Sequence, residues 1–97
     1  MYHLMLSNLK ALQDILLRGD IMHKQQFDKY RYLGLNIAYY RKEQGLSQNQ
    51  LAELVDISRT HMSRIETADC AVSLDVVFDI CDALNVSPNK LFDFRER

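Results

Sequence analysis

Two serines, Ser47 and Ser58, confine what this chain can become. Ser47 suits a helix N-cap, and Gln50 three residues on completes the spacing of a capping box. Leu46 and Leu51 stand at the flanking positions of a hydrophobic staple. Ser58 repeats the signal, with Ile57 and Met62 at staple spacing. Between the two helices so marked lie Val55, Asp56 and Ile57, too short a stretch for anything but a sharp change of direction. Ala52 is small enough for the helices to cross tightly at a steep angle. Such a pair is a helix-turn-helix.

The second of these helices has a spare side. At about 100° per residue, Met62 and Ile65 fall together, with His61 and Glu66 at the edges of that side. Thr60 points the opposite way, surrounded by Arg59, Ser63 and Arg64. Arginine can bridge O6 and N7 of guanine with two hydrogen bonds, and hydroxyl groups suit base edges and phosphates. A polar stripe also suits a plain solvated helix face. Its place in a helix-turn-helix, whose second helix normally enters the major groove, favours contact with bases.

The segment LGLNIAYYRKEQGLSQNQLAELVDISRTHMSRIE, followed by SLDVVFDICDALNVSPNKLF, resembles the Cro/C1-type helix-turn-helix family, also called the XRE family. The resemblance covers residues 32–94 and rests on GLSQ-x-x-LA, IS-x-x-x-x-S-x-IE and DALNVSPNKLF in order at family spacing. It implies an all-α, five-helix domain of the lambda-repressor type, a sequence-specific transcriptional regulator of the repressor kind, and binding to double-stranded DNA as a homodimer. By position, it implies that Gln48 braces a phosphate and the recognition helix. It places Arg59, Thr60 and Arg64 on bases, with Ser63 on the same face, and it makes Arg41 and Glu66 an internal ion pair.

Leu33, Ile37 and Arg41 mark the inward stripe of the first domain helix, and Gly45 is its C-terminal glycine. Arg41 is the charged member of that stripe. Its head can escape to water or pair with Glu66, and the resemblance favours the pair. Of Tyr39 and Tyr40, one is expected to pack and the other to offer its hydroxyl to DNA; Tyr40, close to Lys42, is the better candidate for a backbone contact, with Lys42 beside it. The chain departs from the family after Glu66, where a glycine followed by a basic residue is usual and Ala68 and Asp69 stand instead. A left-handed cap is harder for alanine, so the helix is expected to end differently or to run on. Asp69 sets a repulsive charge where a phosphate contact is usual. Asp56 occupies a turn position that often holds glycine, and aspartate tolerates the left-handed region.

Ser73 is expected to cap a helix with Leu74, Val77, Phe78, Cys81 and Leu84 on its apolar face, ended by Asn85. Ser87 and Pro88 then open a short last helix that carries Leu91 and Phe92 into the core. Ahead of the domain, residues 1–31 form an additional N-terminal element. Leu4, Met5, Leu9, Leu12, Leu16 and Leu17 recur at helical spacing, with Gly19 as the stop. That stripe needs a cover: its own domain, a second copy, or a partner protein such as a toxin or adaptor. Dimerisation is the preferred reading. Lys24, Lys29 and Arg31 follow, as a solvated face, an extension of the first helix or an approach to the DNA backbone.

With 97 residues and a net charge of −1, one small domain is expected, and its acid is unevenly placed. Residues 1–36 carry five basic and three acidic side chains, residues 37–66 four of each, and residues 67–97 three against six. The helix-turn-helix is thus spared the excess acid, and a modest salt dependence of DNA binding follows. Cys70 and Cys81 fit no ligand or redox spacing, and His3, His23 and His61 do not cluster with them, so neither a metal nor a cofactor is expected. No catalytic constellation or phosphate loop argues for an enzyme. The absence of a membrane-length apolar run or a secretion signal makes the cytoplasm the expected compartment.

Overall fold

A computed structural model describes residues 24–95 of the chain. A single 3-10 turn, Lys24–Gln26, leads into α1 (Phe27–Glu43). There follow α2 (Gln48–Leu54), α3 (Arg59–Glu66), α4 (Leu74–Leu84) and α5 (Pro88–Leu91). The described residues are all-α, with five α-helices as expected. α1 starts at Phe27, so residues 27–31 belong to the first helix of the domain. The expected stripe from Leu4 to Leu17 lies outside the described residues. No helix among the described residues is long and apolar enough to cross a membrane.

The helix starts are local chemistry. The Ser47 hydroxyl accepts from the Gln50 backbone N–H at 3.0 Å, while the Ser47 N–H donates to Gln50 Oε1 at 2.8 Å. Ser58 accepts from the His61 N–H at 2.9 Å and Ser73 from the Val76 N–H at 3.2 Å. Ser87 is extended at the start of α5 but makes no side-chain cap; there Pro88 supplies the preset first turn.

The ends of α1 to α4 share one closure. Gly45, Asp56, Ala68 and Asn85 all take left-handed backbone conformations, with φ of 72°, 57°, 59° and 53°. In each case the next N–H reaches back five residues: Leu46 to Arg41 O, Ile57 to Ala52 O, Asp69 to Arg64 O and Val86 to Cys81 O, at 2.8–3.1 Å. α3 therefore neither runs on nor ends in another way, contrary to the expectation drawn from Ala68. The left-handed conformation costs alanine about 1–2 kcal/mol. Ala68 is buried, and its enclosed methyl returns about 0.8 kcal/mol of that.

The core joins Leu33 and Ile37 of α1 to Leu51 and Ala52 of α2, Met62 and Ile65 of α3, and Val77, Ile80, Cys81 and Leu84 of α4, with Leu91 from α5. α4 is turned from its expected setting. Ile80 is fully buried, while Leu74 and Phe78 are 61% and 46% exposed. The whole helix is apolar enough that its own pattern leaves the inward face broad, and packing on α1, α2 and α5 chooses within it. Phe92, expected in the core, is also exposed, and Phe94 takes up part of that role by stacking near Tyr32 with ring centroids 6.1 Å apart.

Candidate nucleic-acid interface

α3 is eight residues long, and an α-helix with its side chains is about 10–12 Å across, the width a B-DNA major groove admits. Met62 and Ile65 are buried beneath it. Arg59, Thr60 and Arg64 are exposed on the other side, with Ser63 half-buried between them. Neither Arg59 nor Arg64 forms an ion pair with another described residue, so both guanidinium groups face solvent uncommitted. The four residues predicted to read bases are thus brought together on one accessible strip.

Behind the strip, Arg41 and Glu66 are buried and paired. Arg41 Nε donates to Glu66 Oε2 at 2.7 Å and Nη2 donates to Oε1 at 3.0 Å, a two-pronged contact. Arg41 Nη1 donates to the Leu46 carbonyl at 2.8 Å. Gln48 Nε2 donates to Glu66 Oε1 at 2.9 Å. One carboxylate at the end of α3 therefore fastens α1 and the first residue of α2. It also settles the orientation of the Gln48 amide, whose second N–H remains available to an acceptor beyond the protein.

The two α1 candidates for a DNA backbone contact are separated. Residues two apart on a helix lie about 160° from each other. Lys42 is exposed, whereas Tyr40 packs partly on the core with the Lys90 ammonium of α5 5.9 Å from its ring centre. Tyr39, in edge-to-face contact with Tyr40 at 5.0 Å, is the exposed ring of the two. Tyr40 thus sits on the α5 side of α1, away from Lys42.

Two α1 residues to which the sequence pattern gave no task hold the strip in place. Gly34 lies where α1 meets the end of α3: a Cβ there would stand 2.5 Å from Glu66 O and 2.6 Å from Ile65 O. A glycine in mid-helix, costly on propensity alone, was the available signal. Asn36 is buried, and its amide donates to the Leu91 and Asp93 carbonyls, both at 2.9 Å, tying α1 to the chain after α5. Asn36 stands three residues after Leu33, on the same inward side of α1, and only its polar type hid that burial from the apolar pattern.

Asp69 is exposed just beyond α3, where the Thr67 hydroxyl lies 3.2 Å from its carboxylate. Burial pushes the Cys81 thiol above its usual range, consistent with a core role, and among the described residues no group of histidine, cysteine or acidic side chains could hold a metal ion.

Comparison with known proteins agrees with this fold. The family described as helix-turn-helix matches residues 37–91. The control protein C.SmaI of Serratia marcescens is 37% identical over 59 residues, 61% of this chain and 70% of that protein. The antitoxin PezA of Streptococcus pneumoniae is 40% identical over 55 residues, 57% of this chain but 35% of the antitoxin, so the match spans about a third of that relative. Among solved structures, the restriction-modification controller protein C.AhdI from Aeromonas hydrophila superposes with a TM-score of 0.63 at 30% identity, over 65% of this chain and 96% of that one.

Proposed function

The chain belongs to the helix-turn-helix family, and from that membership we propose that it is a sequence-specific, DNA-binding transcriptional regulator that lays α3 in the major groove. The observation that carries this reading is the solvent-facing strip of Arg59, Thr60, Ser63 and Arg64, backed by Met62 and Ile65. Arg59 and Arg64 read guanine edges, Thr60 and Ser63 add hydroxyl contacts, and Gln48 and Lys42 hold the phosphate backbone. Two copies bind a pair of half-sites, as the two-fold symmetry of operators favours, and the protein acts in the cytoplasm without a cofactor or a catalytic step.

Selecting bound DNA from a random pool tests this. A palindrome with half-sites about one helical turn apart is expected. Replacing Arg59 or Arg64 by alanine lowers affinity for the selected sequence by about 1–3 kcal/mol each and leaves binding to unrelated DNA nearly unchanged. Equal binding of the double variant and the parent to the selected site would mean that another surface reads the bases.

The likeness to an antitoxin and the exposed Asp69 favour a second reading, in which a protein partner is the main ligand and DNA binding is weak or autoregulatory. Asp69→Asn tests whether that carboxylate faces DNA. If α3 lies in the groove, Asp69 stands close to the phosphates, and its removal strengthens DNA binding by about 1 kcal/mol or less, an effect that fades as salt rises. A DNA affinity indifferent to this change at low salt places residue 69 away from the duplex.

A further inference from the structure

An apolar groove of about 350 Å³ opens between the start of α1, the loop before α4 and the chain after α5. Tyr30, Leu33, Val72, Leu74, Phe92 and Phe94 supply its apolar walls, and Gln26 and Lys29 form its rim. Leu74 and Phe92 are exposed, and Phe27, 44% exposed, stands one residue from the rim. Contiguous exposed apolar surface of this kind is uncommon on a domain that has nothing to cover it.

We propose that the leucine stripe of the same chain, Leu4 to Leu17, is the occupant of this groove. The described chain begins at Lys24, two residues before Gln26 at the groove rim, so the preceding 23 residues are delivered to its mouth. A stripe of 14 residues needs roughly 21 Å if wound as a helix, a reach compatible with crossing the groove from that attachment point. Leu12, Leu16 and Leu17 are the apolar residues of the stripe nearest in sequence to that attachment point, and Gly19 and Asp20 are residue types that suit a turn. A tether of a few residues holds the stripe at an effective concentration in the millimolar range, which favours the groove of its own chain over that of a second copy. The stripe then serves as part of the domain's wall, and pairing of two domains on DNA uses other surface.

The test uses the full chain with a nitroxide label at Gln13→Cys, Cys70→Ser to leave that site unlabelled, and Cys81 protected by its enclosure in the core. Amide resonances of Leu33, Val72, Leu74 and Phe92 are expected to broaden in molecules that carry both the label and nitrogen-15. They stay sharp when labelled chains of natural isotope content are mixed with unlabelled nitrogen-15 chains. Adding Leu16→Glu and Leu17→Glu removes the broadening while the resonances of Met62 and Ile65 keep their positions. Broadening in the mixed sample assigns the groove to a second copy and overturns the proposal, as does an unbroadened groove in the doubly marked chain. Both readouts are made without DNA, so failure here leaves the nucleic-acid reading untouched.

Discussion

Replacing Glu66 by alanine is expected to lower the stability of the domain by about 3–5 kcal/mol. The side chain is buried at the end of α3, and three donors converge on it: Arg41 Nε, Arg41 Nη2 and Gln48 Nε2. Without the carboxylate, the Arg41 guanidinium keeps its bond to the Leu46 carbonyl but is left as a buried charge with no counter-ion. A domain of this size has about 5–15 kcal/mol in hand, so the loss consumes much of it. The pair is not thereby a net source of stability. Arg41→Met combined with Glu66→Leu removes both charges together and is expected to retain most of the parent's stability, because desolvation of the ions disappears along with their attraction. Urea denaturation of the three proteins decides: a double variant as weak as Glu66→Ala would show that the network's hydrogen bonds, not the stranded charge, carry the cost.

Gly34→Ala is expected to cost about 3 kcal/mol, the upper end of the range for overpacking. The sign is the point of interest. In an exposed helix interior the same change would gain about 1 kcal/mol from helix propensity. Here the new methyl meets two backbone carbonyls of α3, and backbone at a helix end cannot swing aside as a flexible side chain can. α1 must instead back away from α3, which stretches the Arg41–Glu66 contact and shifts the reading strip. Thermal unfolding is expected to show a midpoint lower by about 12 °C or more. DNA binding measured well below that midpoint should also weaken, since Arg59 and Arg64 then sit differently relative to Gln48. A variant as stable as the parent would mean that α1 and α3 can separate without strain.

These two residues mark opposite ends of what could be read in advance. Glu66 lay at the edge of the inward face of α3, and likeness to a known family paired it with Arg41; the structure gives that pair its two-pronged geometry. Gly34 carried no periodic signal, because a glycine contributes nothing to an apolar stripe. Its importance comes from what approaches it.

The amino-acid sequence by itself determined the starts of α2, α3, α4 and α5, the tight turn at Val55–Ile57 and the division of α3 into a buried and a free side. Each of these depends on groups within about one helical turn of one another, where serine hydroxyls and side-chain spacing act directly on the nearby backbone. Tertiary structure decided the rest. It turned α4 so that Ile80 is enclosed and Phe78 is not, carried Tyr40 toward α5, held Ala68 in a left-handed cap, and brought Gly34 against the end of α3. Those outcomes depend on the shape of surfaces that meet only after the helices assemble, and a pattern along one helix carries no record of the neighbour that will face it.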